Sequence, residues 1–154
     1  MMTDNRQSGL SLLEVLVSVA IFAFGLLALA ALMANGLRSN TSAMHRSFAT
    51  NQVYDMADRM RANPDTDYDG IAGAAADPGC ISTGCSPARM LQYDQFQWNT
   101  DNANFLPLGT GTVAKETAAC VFANPNPCIY TITVTWDDDR DGNADDSFVF
   151  AIRP

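Results

Sequence analysis

Histidine is almost missing from this chain: of 154 residues, only His45 carries an imidazole. No local Cys/His or Ser/His/Asp arrangement can be assembled, and no glycine-rich phosphate loop follows a predicted strand, so no enzyme chemistry is expected. Basic residues are scarce as well. Nine Lys+Arg against 17 Asp+Glu give a formal net charge of −8 and a pI near 4.3, and no local basic patch offsets that sign, which excludes nucleic acid as a partner. Cysteine is limited to four residues, Cys80, Cys85, Cys120 and Cys128, whose spacings match none of the paired two-residue gaps of zinc sites. Charge of either sign is missing altogether from residues 15–37.

That uncharged stretch contains VLVSVAIFAFGLLALAALMA, residues 15–34, interrupted only by Ser18 and Gly25. A helix of this length, at about 1.5 Å per residue, matches the ~30 Å hydrocarbon core of a bilayer. A core helix of a small soluble domain would show a polar face, and this one shows none. Three export readings compete. A cleavable secretory signal finds a small-residue site at Ala28-Leu29-Ala30, but the leader carries Asp4 against Arg6 and the run is longer than a usual apolar region. A plain signal anchor explains the length and leaves Glu14 unexplained, because a carboxylate within a membrane segment is costly.

The third reading accounts for both oddities. Gly9-Leu10-Ser11-Leu12-Leu13-Glu14, between a short polar leader and the apolar run, resembles the class III signal of type IV prepilins and pseudopilins. The resemblance implies that a prepilin peptidase cuts between Gly9 and Leu10, removes residues 1–9 and methylates the new amine on Leu10. Leu10 stands where Phe is commonest. Cleavage would create an ammonium about one helical turn from Glu14, and two charges that are each costly at low dielectric become tolerable as a pair. The resemblance further implies that the pair forms between subunits, with Glu14 setting the axial register of an incoming subunit in a helical filament.

Beyond Leu37, Met44, Phe48, Val53, Met56, Ala57 and Met60 recur at mostly three- and four-residue steps, which predicts an amphipathic continuation of the same helix to about Ala62, stopped by Asn63-Pro64. His45 is expected to face solvent or to cap. The string DMADRMRANP, residues 55–64, is similar to minor pilins of the PilV kind. Residues 65–87, rich in Gly, Ala, Asp and Pro, read as a long loop. Ser86-Pro87 then opens a second helix carrying Met90, Leu91, Trp98 and Phe105, although QYDQFQW at 92–98 could alternate as a strand. Four strands are expected at 112–114, 119–122, 129–136 and 147–153. The predicted fold is therefore α+β: a long N-terminal helix, half transmembrane and half amphipathic, packed on a four-stranded antiparallel sheet. The expected divisions are a leader at 1–9, an apolar helix at 10–37 and a globular head at 38–154.

With an export segment upstream, four cysteines read as disulfides. Three pairings are open, and Cys80–Cys85 with Cys120–Cys128 closes the shortest loops. The remaining dense constellation is WDDDRDGNADDSF. Asp137, Asp139, Asp141 and Gly142 reproduce the start of a calcium loop, with Asp145 as a further ligand, but the twelfth position is Phe148 rather than a bidentate Glu. The competing reading is a solvated acidic hairpin turn, so Ca²⁺ is an open possibility and no other cofactor is expected. The resemblance implies a single-pass inner-membrane protein whose head lies in the periplasm and later on a cell-surface pilus. It also implies as partners the lipid bilayer, the prepilin peptidase, the inner-membrane assembly platform, the major pilin and other minor pilins. A type II secretion pseudopilin and an exported, calcium-stabilised binding domain are the alternatives.

Overall fold

The computed structural model describes residues 11–116 and 128–154. Its elements in chain order are α1 (Leu12–Ala62), β1 (Ile71–Ala72), α2 (Cys80–Thr83), α3 (Pro87–Phe105), β2 (Thr110–Lys115), β3 (Tyr130–Trp136) and β4 (Asp146–Ile152). The chain divides into two units, Met1–Thr41 and Ser42–Pro154.

The first unit contains the start of α1. Ser11 supplies the cap, its Oγ accepting the amide of Leu13 at 3.3 Å while its carbonyl accepts that of Glu14 at 3.0 Å. Residues 11–40 are all solvent-exposed, Leu12, Phe22, Phe24 and Leu32 among them. Apolar surface on every side of a helix has no stable place in water, and this one is long and apolar enough to cross a membrane.

The second unit is an α+β head. The remainder of α1 buries His45, Ala49, Val53, Met56, Ala57 and Met60, a stripe at three- and four-residue steps. This face is turned slightly from the predicted one: Met44 is exposed, and His45 and Ala49 take the inner positions. The sheet is antiparallel throughout in the order β1-β2-β3-β4. Its register aligns Ile71, Val113, Ile132 and Phe150 in one row across all four strands. On β3 the alternation is complete, with Tyr130, Ile132, Val134 and Trp136 buried and Thr131, Thr133 and Thr135 half-buried.

The first strand of this sheet, Ile71–Ala72, lies in the stretch expected to be loop, and α2 lies there too. Two residues are too few to alternate, so no periodicity marks them. The strand predicted at 119–122 lies outside the described residues. The segment 92–98 is helical, as part of α3. Of the apolar residues named for that helix, Trp98 is fully buried and Leu91 packs against the core, whereas Phe105 is exposed; the rest of the buried face is polar, made by Asp94, Asn99 and Asn102. The α3 face is held by hydrogen bonds as well. Trp98 Nε1 donates to the Gln52 carbonyl at 2.9 Å, and the Gly111 amide donates to Asn99 Oδ1 at 2.7 Å. Glycine is required at 111 because a Cβ there would lie 2.3 Å from the Trp98 ring.

Candidate functional site

Gly9 and Leu10, the residues flanking the expected cleavage point, lie outside the described residues. Glu14 is described and exposed in the first turn of α1, where a carboxylate suits the positive end of the helix dipole. Its carbonyl accepts the Ser18 hydroxyl at 2.7 Å, while its carboxylate has no partner among the described residues. The nearest downstream charge on the helix is Arg38, beyond the apolar run. Glu14 is thus a single negative group at the head of a stretch of α1, residues 15–37, that carries no other charge.

In the head, Cys80 is bonded to Cys85, pinning the segment that leads into α3. Cys128 is buried and disulfide-bonded; Cys120 lies outside the described residues.

The acidic turn joins β3 to β4. Asp137 is buried and its carboxylate accepts the amides of Asp141 at 3.2 Å and Gly142 at 2.9 Å, while its own amide donates to the Pro107 carbonyl at 2.9 Å. Gly142 has φ of 96° and Arg140 of 62°, which folds the turn back on itself. One ligand atom each from Asp137, Asp139 and Asp141 lies within 4.8 Å of the others. Asp145 is not part of that group, and Phe148, at the position where a calcium loop carries its bidentate Glu, packs against the core. The Asp141 amide stabilises the Asp139 carboxylate, but repulsion from Asp141, partial desolvation and the weaker repulsion from Asp137 and Asp145 together outweigh it and raise the Asp139 pKa. Three converging, mutually repelling carboxylates are a donor set that fits a hard cation weakly.

Between the two ligand positions, Asp138 points the other way. Its carboxylate meets His45 Nδ1 at 2.8 Å and Trp136 Nε1 at 3.3 Å, and it also accepts the Ser42 hydroxyl. His45 is therefore a buried partner of the turn, not the solvent-facing or capping residue expected. Burial opposes charge on Asp138, yet these hydrogen bonds outweigh it and hold the carboxyl below its usual range. The sequence carried one clue to His45, its four-residue step to Ala49 and Val53 on the buried stripe. A second polar cluster ties α1 to α3: Arg59 meets Asp55 at 2.7 Å, Asp94 at 3.1 Å and Gln97 at 3.0 Å, and Tyr68 donates to Asp94 at 2.6 Å. Asn63 extends it to Tyr68 and the Pro87 carbonyl. The string at 55–64 is accordingly structural, with Met56, Ala57 and Met60 in the core and Arg59 and Asn63 fastening Tyr68 and α3 to the end of α1.

No curated protein and no solved structure gives a significant match to this chain. Residues 4–30 match the prokaryotic N-terminal methylation motif. That match covers residues 4–9 of the expected leader, the Gly9-Leu10 junction, Glu14 and most of the apolar run, and it supports a type IV pilin-like prepilin or pseudopilin signal; the long N-terminal helix and four-stranded antiparallel sheet form an α+β fold of the type IV pilin-like kind.

Proposed function

We propose that this protein is a minor pilin of the PilV kind, which enters or primes a type IV pilus as part of a tip complex with other minor pilins. Its role is assembly rather than catalysis. The observation that carries this reading is the methylation motif overlapping a fully exposed, uncharged apolar run, residues 15–34, with Glu14 at its head. The string at 55–64 supports the PilV kind. In this reading the prepilin peptidase cuts after Gly9 and methylates Leu10, and Glu14 pairs with the amine of a neighbouring subunit. The apolar helix holds the protein in the inner membrane, with the head in the periplasm, until the assembly platform adds it to the fibre. The acidic turn, in the same proposal, takes Ca²⁺ weakly through Asp137, Asp139 and Asp141.

The test is the mature N-terminus by intact mass, followed by the protein's presence in sheared pili. Methylated Leu10 is expected, and a start at Ala31 would instead mark a secreted module. Gly9→Val should leave the full-length chain uncut. Glu14→Ala should be processed and inserted as wild type yet be depleted from sheared pili; wild-type incorporation would refute the register role. Recovery with a secretion complex and never with pili would assign the chain to the pseudopilins.

A further inference from the structure

The two edges of the sheet differ in a way that the pilin reading does not use. The β1 edge is two residues long and so offers almost nothing to an incoming strand. The β4 edge runs for seven residues, DSFVFAI, and among the described residues no strand pairs with its outer side. It carries none of the usual protections: no Pro, no Lys, and one acidic residue, Asp146, which lies 3.8 Å from Arg46. Val149 is 56% exposed at its centre, and Phe148 and Phe150 are only partly buried. A long, bare, apolar edge is a template for strand addition.

The flanking charges select the occupant. Asp145 and Arg153 lie one residue beyond either end of β4, both exposed and in no ion pair among the described residues. Antiparallel pairing with a second copy, centred on Val149, sets Ser147 opposite Ala151 and Phe148 opposite Phe150. It also sets Asp145 of each chain opposite Arg153 of the other, so both ends carry opposite charges. Parallel pairing in register would instead stack Asp145 on Asp145 and Asp146 on Asp146, which repel. We infer that β4 is a homodimer interface, in which two copies of this chain join their sheets edge to edge about a two-fold axis at Val149. Such a contact closes on itself and leaves no β4 edge free, so it describes the protein outside the polar stacking of a filament. Its failure would leave the proposed pilin role untouched.

The experiment uses the full chain in detergent and reads oligomeric state by light scattering during gel filtration. Wild type should dimerise. Arg153→Asp and Asp145→Arg each place like charges at both ends and should weaken the dimer about tenfold. Mixing the two variants restores opposite charges at both ends and should restore a heterodimer of wild-type stability. Val149→Cys should crosslink to itself under mild oxidation, because residues directly opposite in an antiparallel pair lie about 4.5–5.5 Å apart. A monomeric wild type, a dimer indifferent to both charge variants, which would run through the apolar helix, or a mixture that fails to recover each overturns the inference.

Discussion

His45 and Asp138 show how one pair can fasten a helix to a sheet. The imidazole sits on the buried stripe of α1 and the carboxylate at the start of the turn after β3, 2.8 Å apart. Replacing His45 with Leu keeps the apolar contacts and removes the donor, leaving Asp138 short of one hydrogen bond in a largely buried place. We expect a loss of about 1–3 kcal/mol, read as a lower Tm with the helical signal intact. A variant as stable as wild type would show the pair to be incidental. Gly111 is constrained by space rather than by backbone angle. In Gly111→Ala the new methyl would lie 2.3 Å from the Trp98 ring, so either the indole or β2 must move. Overpacking of this kind costs about 1–3 kcal/mol, and the indole fluorescence should shift with it. Neither residue announces its role in the sequence, because both depend on a partner in a distant element.

Among the elements, helices were the more legible. Ser86-Pro87 opens α3 as its composition predicts, and Asn63-Pro64 ends α1. The strands with a full period of alternation, β3 above all, follow the sequence, whereas β1 is too short to leave a pattern and is made by its pairing with β2. The turn between β3 and β4 illustrates a local motif finished by its surroundings. Its Asp/Gly pattern dictates the folding of the carboxylates toward one another, but packing turns Phe148 into the core and leaves Asp145 outside the cluster. We therefore expect millimolar Ca²⁺ to raise the Tm of the full chain and chelator to reverse it, the gain reaching ~2.7 kcal/mol at a hundredfold excess over Kd. Asp139→Asn/Asp141→Asn should abolish the response and, by relieving repulsion, raise the cation-free Tm. Equal responses in wild type and variant, or none in either, would make the turn an ordinary acidic hairpin.

At the scale of the head, acid sensitivity arises from carboxylates that hold separate elements together. Asp67 accepts hydrogen bonds from Lys115 Nζ, from Tyr130 Oη at 2.9 Å and from the Asp69 amide at 3.0 Å, joining the segment after α1 to β2 and β3. Burial raises its pKa, but these bonds outweigh that and leave it lowered, as they do for Asp138. A carboxyl with a folded pKa below its unfolded value of about 4 stabilises the fold above that pH and loses its contribution as the pH falls through the folded value. Thermal melts should thus change little between about pH 7 and pH 5 and fall steeply below about pH 4. Asp67→Asn should be less stable at neutral pH and show a shallower acid fall; an identical acid profile would remove Asp67 from the account.

The sequence by itself determined the parts whose physics is local. The methylation signal, the uncharged apolar helix with Glu14 at its head, the amphipathic period beyond Leu37 and the alternation of β3 depend on neighbours along the chain, and each could be read in a single window. Tertiary structure alone decided which residues meet across the head: His45 with Asp138, Arg59 and Tyr68 with Asp94, the Gly111 amide with Asn99, and Ile71 with Val113. These are polar or very short contacts between elements far apart in sequence. Burying a polar group requires a partner, and that partner is supplied by the packing of a distant element, so neither composition nor period can name it.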